Sequence, residues 1–239
     1  MTPNNITNVS CGLDLVNALQ TLSDKDKLEK IKMIKEVDAN STEIFVDFLI
    51  FRRENELTFP SYLDGFIYET LLNLDMPDDS LLYKEFPTGI LPLRTQKNID
   101  YSDLQTLLIK KQFLEADKMT QVKLKELAGL DDREWLYFTD IQKIPSADLA
   151  TIDKLWRIHS LDRFGFSIQR NIWLKANRDW DKLWGAIGWQ INNNLCRYPN
   201  EFVWNINGPR GHLPLFNQLR GVQTLSALFN HQIWKDSQA

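Results

Sequence analysis

Apolar residues recur at helical spacing through most of the first 85 positions of the chain. Ser23 precedes the stretch DKDKLEKIKMIKEV, in which acids come early and lysines late, the order that the helix dipole favours. Asn40 with Glu43 predicts a second helix start, and Ser61 with Asp64 predicts a third in the spacing of a capping box. Because each helix is short and apolar on one face only, the pattern predicts a small N-terminal helical bundle.

Helical periodicity resumes at Asp100 and covers most of the remaining chain. Two runs follow, and the second stops at Gly129, a residue type suited to end a helix. Further helices are predicted over SADLATIDKLWRIHS, FSIQRNIWLK, the Trp-rich stretch 180–189 and, last, VQTLSALFNHQIW. No stretch of four or more residues alternates as a strand does outside loops, so the predicted fold class is all-α.

Residues 86–99, FPTGILPLRTQKNI, separate the two helical regions. They contain two Pro and one Gly without a clear period, a composition typical of a connection between domains. The predicted organisation is a bundle over residues 1–90, a linker over 91–99 and a second domain over 100–239.

Charge is distributed unevenly along the 239 residues, whose net charge is −4. From Arg163 onward nine Lys and Arg face four Asp and Glu, a net +5, which leaves −9 for residues 1–162. All eight Trp lie from Trp135 onward. A basic and aromatic C-terminal third favours an anionic partner. Nucleic acid is not the predicted partner, because the basic residues are singly spaced and no nucleic-acid fingerprint occurs.

Targeting and membrane signals are absent from the sequence pattern. No run of about 18 apolar residues occurs, so no membrane-spanning helix is predicted. The polar start of the chain predicts neither a secretory signal nor a transit peptide. The basic, aromatic C-terminal third leaves peripheral membrane association open, although no distinctive amphipathic helix supports it.

The segment from Phe202 to Arg220, FVWNINGPRGHLPLFNQLR, is the most irregular of the chain. Its Gly and Pro residues predict an ordered loop between helices. Apolar side chains such as Trp204 and Leu213 must be covered either by the core or by a ligand. Arg210 and Arg220 at its edges would suit a flat, apolar anion. The composition of the loop leaves both interpretations open.

Candidate catalytic and metal-binding residues do not form a complete set. His212 lies in the irregular loop, but no nucleophile or carboxylate has a local spacing that completes a catalytic site. Cys11 and Cys196 are far apart, and with three His residues they show no metal-ligand spacing. The residues therefore predict a protein that is not an enzyme and has no catalytic cofactor, with acid–base chemistry by His212 as the alternative.

Six stretches together identify a family resemblance that covers about residues 100–234. They are DYSDLQTLLIKKQFLEADKMT, REWLYFTDIQKIPSADLATIDKLWRIHS, RFGFSIQRNIWL, GWQ, RYPNEFVW and GPRGHLPLFNQLRG. Their order and wording resemble the genomes-uncoupled tetrapyrrole-binding proteins, the accessory regulators of magnesium chelatase in chlorophyll synthesis. The resemblance implies a cup-shaped all-α domain whose concave surface binds protoporphyrin IX and Mg-protoporphyrin IX. It also implies that residues 1–90 are the N-terminal bundle of the cyanobacterial and algal type.

The resemblance also implies a set of porphyrin-binding residues. The aromatic residue of the WLYF stretch falls on Phe138, and the Arg of the QLRG stretch falls on Arg220. Some relatives carry a second basic residue where this chain has Gln223, so Arg210 is the alternative second cation for the propionates. The expected site consists of the following residues: Phe138, Trp189, Phe202, Trp204, Arg210, Leu213 and Arg220.

The resemblance implies that the protein is not an enzyme but an activator of magnesium chelatase. Its expected partner is the large porphyrin-binding subunit of magnesium chelatase, and its expected location is the plastid stroma or the cyanobacterial cytoplasm. A helical protein–protein adaptor without a tetrapyrrole ligand is the alternative function, since an apolar loop can also bind a partner helix.

Overall fold

The structure is a computed structural model that describes residues 16, 19, 27–35, 41–74, 77–130, 133, 135–216 and 222–236. The chain divides into two compact units, Met1–Pro92 and Leu93–Ala239. Within the described residues almost all regular structure is helical, which confirms the predicted all-α fold class. No helix in these ranges is both long and apolar enough to cross a bilayer.

The first unit packs short helices around an apolar centre. Its described helices are α1 (Lys27–Ile34), α2 (Thr42–Asn55), α3 (Tyr62–Leu72) and α4 (Leu81–Glu85). The buried side chains of these helices include Ile34, Phe45, Leu49, Ile67, Leu71 and Leu82. Each helix is too short to be stable alone, so packing of these apolar faces supplies most of the stability of the unit.

The capping box predicted at Ser61 and Asp64 is present at the start of α3. The Ser61 N–H donates to Asp64 Oδ2 at 2.7 Å, and the Leu63 N–H donates to Ser61 Oγ at 3.2 Å. The guanidinium of Arg52 on α2 also donates to the buried Asp64 carboxylate. One carboxylate therefore both begins α3 and joins it to α2.

The other two helix starts predicted in this unit fall partly or wholly outside the described residues. Ser23 and Asn40 lie outside them, so the caps predicted there stay predictions. The helix after Asn40 begins at Thr42, and Ser41 occupies its N-cap position.

The second unit contains eight described helices and one small hairpin. They are α5 (Ser102–Ile109), α6 (Phe113–Ala128), α7 (Phe138–Ile141), α8 (Ser146–Ile158), α9 (Phe166–Lys175), α10 (Trp180–Ile187), β1 (Gln190–Ile191), β2 (Asn194–Leu195), α11 (Gln223–Phe229) and α12 (Ile233–Asp236). The predicted stop of the second run at Gly129 is confirmed, because Gly129 has the left-handed conformation with φ of 68°. The core of this unit centres on Trp156, which contacts Phe113 on α6 at 5.9 Å between ring centroids.

Two local elements differ from the sequence prediction. The hairpin was missed, because its strands are only two residues long and Asn192 and Asn193 supply the turn with φ of 50° and 63°. Asn tolerates this left-handed region, which two-residue hairpin turns require. The prediction of a single last helix is also wrong, because α11 ends at Phe229 and a separate α12 begins at Ile233. Between them His231 is buried with its Nε2 at 3.0 Å from the Ile144 carbonyl, so the core contact interrupts the helix.

The segment before α5 is tied to the second unit by three polar contacts. The Arg94 carbonyl accepts from Thr151 Oγ1 at 2.7 Å, the Gln96 N–H donates to Asp148 at 2.9 Å, and Lys97 Nζ donates to the Leu127 carbonyl at 2.6 Å. Residues 93–99, which the sequence assigned to a linker, therefore pack as part of this unit.

Candidate functional site

An exposed aromatic side chain marks the surface where α7 and α11 pack together. Phe138 begins α7, and 46% of its surface remains exposed although it is a large apolar residue. It forms one wall of an open cavity of about 480 Å³. The residues lining this cavity, called the Phe138 cavity below, are Phe138, Val222, Gln223, Ser226, Ala227 and Asn230.

Asp140 holds Phe138 in place. Its Oδ2 accepts hydrogen bonds from the Tyr137 N–H at 2.9 Å and from Arg133 at 2.8 Å, and Lys143 lies 3.1 Å from Oδ1. Burial alone would raise the pKa of Asp140, but these bonds and charges outweigh burial and lower it. The carboxylate is therefore ionised at neutral pH and binds the backbone N–H of Tyr137, the residue before Phe138.

The other wall of the cavity comes from one face of α11. Val222, Ser226 and Asn230 recur every four residues, so they line up along the helix. Ser226 and Ala227 are small, which leaves room in front of the Phe138 ring. These residues were missed by the sequence analysis, which considered Gln223 only as the position of an absent cation. The signal was the recurrence of Val222, Ser226 and Asn230 every four residues, with the small Ala227 beside Ser226.

The last described part of the irregular loop belongs to the core. Residues 211–216 are all buried, and so is Phe202. Backbone atoms of the loop are held by buried side chains from two helices. Gln169 on α9 donates to the carbonyls of Gly211 and Pro214 at 3.0 and 2.7 Å, and the Leu215 N–H donates to Asp117 on α6 at 2.6 Å. The core interpretation of this loop therefore holds for Phe202 and for residues 211–216, whereas Val203 is exposed and Trp204 is half-buried.

Trp189 is completely buried and packs inside the domain. Its ring stacks on Trp184 at 5.3 Å between centroids with an angle of 9° between planes. Its Nε1–H donates to the carbonyl of His212 at 2.7 Å. Leu213 is likewise fully covered by protein atoms. In this conformation Trp189, Leu213 and Phe202 stabilise the domain and offer no surface to a ligand.

His212 uses both ring nitrogens in the loop structure. Nδ1 lies 2.7 Å from the Ile187 carbonyl at the end of α10, and Nε2 accepts from the Val203 N–H at 2.9 Å. This pattern requires a neutral ring with the proton on Nδ1. Burial lowers the pKa of His212, and the bond to Ile187 only partly opposes this effect. The interpretation of His212 as a residue that shapes the loop fits these contacts.

Gly211 is a position where the fold requires glycine. It has φ of 81°, and an added Cβ would lie 2.8 Å from Ile172 Cδ1 and 3.0 Å from Ile187 Cγ2. We expect Gly211→Ala to lower the free energy of unfolding by about 1–3 kcal/mol, because it adds both backbone strain and overpacking. The matched control is Gly185→Ala on α10, where the added methyl meets nothing within 4 Å. It should stabilise by about 0.5–1 kcal/mol. Urea unfolding checks both, and equal effects would contradict the prediction.

The remaining expected site residues fall in three different environments. Trp204 is half-buried, and its Nε1–H donates to the Pro199 carbonyl at 2.9 Å. Arg210 is exposed and pairs with Asp162 at 3.2 Å. Arg220 lies outside the described residues, two positions before Val222 of the Phe138 cavity. Phe138 is thus the expected site residue that the structure places on an open cavity.

Metal ligands do not cluster in the described part of the chain. There, no group of three or more His, Cys, Asp and Glu side chains converges on one point. Cys196 is buried, and burial is the main reason that the pKa of its thiol is raised.

Comparisons with known proteins converge on one family. The family model described as GUN4-like matches residues 94–232, which lie within the second unit. A protein called ycf53 from Pyropia yezoensis is 50% identical over 219 residues, which make up 89% of this chain and 91% of the relative. The tetrapyrrole-binding protein, chloroplastic, of Arabidopsis thaliana is 36% identical over 139 residues, 54% of this chain and 52% of that protein. Among solved structures, GUN4 from Chlamydomonas reinhardtii aligns with 60% of this chain and 95% of its own, with 36% identity and a TM-score of 0.57.

Proposed function

Because the chain belongs to the GUN4-like family, we propose that it is a non-catalytic porphyrin-binding protein. Its proposed ligands are protoporphyrin IX and Mg-protoporphyrin IX, and its proposed role is to stimulate magnesium chelatase in chlorophyll biosynthesis. The single observation that carries the proposal is the exposed ring of Phe138 over an open cavity inside the family-matched residues. The proposed location of the protein is the plastid stroma or the cyanobacterial cytoplasm.

The Phe138 cavity has the chemistry that one edge of a porphyrin requires. A porphyrin is a rigid apolar disc with two propionates, so its faces need aromatic or aliphatic contacts. Phe138, Val222 and Ala227 supply apolar surface, while Gln223 and Asn230 supply exposed amide groups. The amide nitrogen of Asn230 also donates to the Ser226 carbonyl at 2.8 Å. These amides suit propionate oxygens or a water molecule on magnesium, which prefers oxygen ligands.

Arg220 is the proposed cation for a propionate. It stands two residues before Val222, which is part of the cavity wall. Arginine binds carboxylates with two parallel hydrogen bonds, which adds both energy and orientation. Arg210 stays the proposed second cation, and its exposed position leaves its guanidinium accessible, although it must exchange its pairing with Asp162.

The test is a titration of the full chain with deuteroporphyrin, followed by Trp emission. We expect saturable quenching, and we expect Phe138→Ala to weaken the apparent affinity by about tenfold or more, because a buried aromatic contact contributes about 1.5–3 kcal/mol. Arg220→Ala should weaken it by a similar factor through the lost charge-assisted bond. The matched control is Phe51→Ala in the first unit, whose ring is 49% exposed and lies outside the family-matched residues.

Three outcomes would contradict the proposal. They are an absence of saturable quenching, an affinity unchanged in both Phe138→Ala and Arg220→Ala, and an equal loss in Phe51→Ala. Stimulation is tested separately by the rate at which magnesium chelatase forms Mg-deuteroporphyrin with and without this protein. We expect a higher rate with the wild type and a weaker effect with Phe138→Ala.

A helical adaptor without a tetrapyrrole ligand is the second candidate function. One observation favours it: the hairpin and the residues after it expose the apolar side chains Ile191, Leu195, Tyr198 and Val203. An adaptor would bind its partner equally well with and without saturating porphyrin. The same titration separates the two functions, because the adaptor predicts no quenching.

A further inference from the structure

A second cavity lies between α8, α9 and α12, and its residues are different from those of the Phe138 cavity. Its volume is about 420 Å³. This cavity, called the α8–α9 cavity below, is lined mainly by Asp153, Lys154, Arg157, Arg170, Ile233 and Trp234. We propose that the α8–α9 cavity binds a phosphate group, either as inorganic phosphate or as part of a small phosphorylated ligand.

Helical spacing explains why basic groups converge there. On α8 the positions 150, 153, 154 and 157 follow the i, i+3, i+4, i+7 pattern of one face. On α9 the positions 167, 170 and 171 do the same. Lys154 and Arg157 therefore project from one wall of the cavity, and Arg170 projects from the facing wall.

Arg170 has a charge that the protein does not neutralise. Its Nε donates to the Phe229 carbonyl at 2.7 Å, which leaves the two terminal nitrogens of the guanidinium available. Among the residues that the structure describes, no carboxylate forms an ion pair with Arg170. Burial lowers the pKa of Arg170, and the nearby positive charge of Arg178 lowers it further. Both causes disfavour the cation, so an anion beside it would relieve an unfavourable charge.

Lys154 adds a second uncompensated cation on the opposite wall. Its side chain is exposed and enters no ion pair in the described part of the chain. Arg157 contributes less charge, because its Nε donates to Asp162 at 2.7 Å. Asn171, which is exposed on α9, offers an amide donor at the same opening.

Among the described residues of the cavity wall, the carboxyl group belongs to Asp153, and burial raises its pKa. Asp153 Oδ1 accepts from the Ser167 N–H at 2.8 Å, and the charge of Arg157 also lowers the pKa, but burial outweighs both. The cavity therefore presents Lys154 and Arg170, which have no acidic partner in the described part of the chain, beside a carboxyl group whose burial disfavours its negative charge. This balance suits a doubly charged tetrahedral anion better than a neutral ligand.

The size and the apolar wall are consistent with either source of the phosphate group. A volume near 420 Å³ exceeds what one phosphate fills and is within the range of small-molecule sites. Ile233 and Trp234 of α12 form an apolar side next to the basic one. A phosphorylated ligand would place its organic part against this side, whereas inorganic phosphate would contact the basic side only.

The test is calorimetric titration of the full chain with inorganic phosphate and, separately, with AMP, at constant ionic strength set with KCl. We expect one saturable site, and we expect Lys154→Gln and Arg170→Gln each to weaken it by about tenfold, as one charge-assisted hydrogen bond is lost. The matched control is Lys182→Gln, an exposed lysine on α10 outside the cavity, which should not change the affinity. AMP bound about tenfold more tightly than phosphate would identify an organic phosphate as the ligand class. Equal affinities for AMP and phosphate would show that the cavity recognises the phosphate group alone.

Lys154→Gln keeps the proposal testable even if Arg170→Gln loses stability with its bond to Phe229, because Lys154 makes no such bond. The proposal is overturned if neither titrant binds saturably, if Lys154→Gln binds as the wild type does, or if Lys182→Gln weakens binding equally. The proposal does not depend on the porphyrin function. Quenching by deuteroporphyrin should be the same in Lys154→Gln and in the wild type.

Discussion

Replacing Trp189 by alanine is expected to lower the free energy of unfolding of the second unit by about 3–5 kcal/mol. Trp189 is fully buried, stacks on Trp184 and donates to the His212 carbonyl, so the substitution leaves both a cavity and an unpaired carbonyl. Because all eight Trp lie in the second unit, urea unfolding followed by the remaining Trp emission reports on this unit specifically.

Two variants serve as references for that loss. Trp189→Phe keeps an aromatic ring and should cost clearly less than Trp189→Ala, since most of the apolar area stays buried. Phe138→Ala should change stability by less than about 1 kcal/mol, because nearly half of its ring is already exposed. If Trp189→Ala lowered the free energy of unfolding no more than Phe138→Ala does, Trp189 would be accessible. It would then be a candidate for contact with the porphyrin.

The second large effect is a dependence of stability on pH that originates at Asp117. This carboxyl is almost completely buried on α6, and burial raises its pKa to about 7, against the opposing effect of the Leu215 N–H. In the unfolded chain an aspartate titrates near 3.9. The folded protein therefore holds a proton that the unfolded chain has lost between about pH 4 and pH 7. The contribution of Asp117 to stability is complete below the unfolded pKa and is lost as pH rises through the folded pKa.

Asp117→Asn isolates this contribution, because the amide keeps an oxygen that can accept from the Leu215 N–H and does not ionise. We expect the stability difference between Asp117→Asn and the wild type to shift by about 2–3 kcal/mol in favour of the variant from pH 5 to pH 8. Urea unfolding at constant ionic strength measures it. Other buried acids, such as Asp153 with its raised pKa, are common to both proteins and cancel in the difference. Parallel stability curves would show that Asp117 does not titrate in this range.

The charged groups around Asp117 do not offset its burial. The backbone N–H of Leu215 lowers the pKa of Asp117, but less than burial raises it. The pKa of Tyr198 is raised mainly by burial and also by the charge of Asp117. Gln121 on the same helix donates to the Leu215 carbonyl at 2.7 Å and carries no charge. Asp117 and Gln121 together hold the backbone of Leu215, so the titration acts at an anchor of the loop.

Local sequence patterns predicted much of the helical structure. The capping box at Ser61 and Asp64, the helix end at Gly129 and the helix predicted over 146–160, which ends at Ile158, depend on contacts within a few residues. A sequence shows such contacts directly. The same holds for the all-α class, since helical spacing extends over most of the chain. Where a distant contact competed, as His231 does against the last helix, the local pattern failed.

The sequence by itself determined the helical class, many helix ends, the uneven charge and the residue types that a porphyrin site needs. Only the tertiary structure decided which of these residues are reachable by a ligand. Trp189, Leu213 and Phe138 look alike as apolar candidates in the sequence, yet the first two are buried and the third is open. The reason is that burial depends on packing between segments far apart in the chain. Neither spacing nor composition encodes that α7 and α11 meet beside Phe138, or that Lys154 and Arg170 face one another across a cavity.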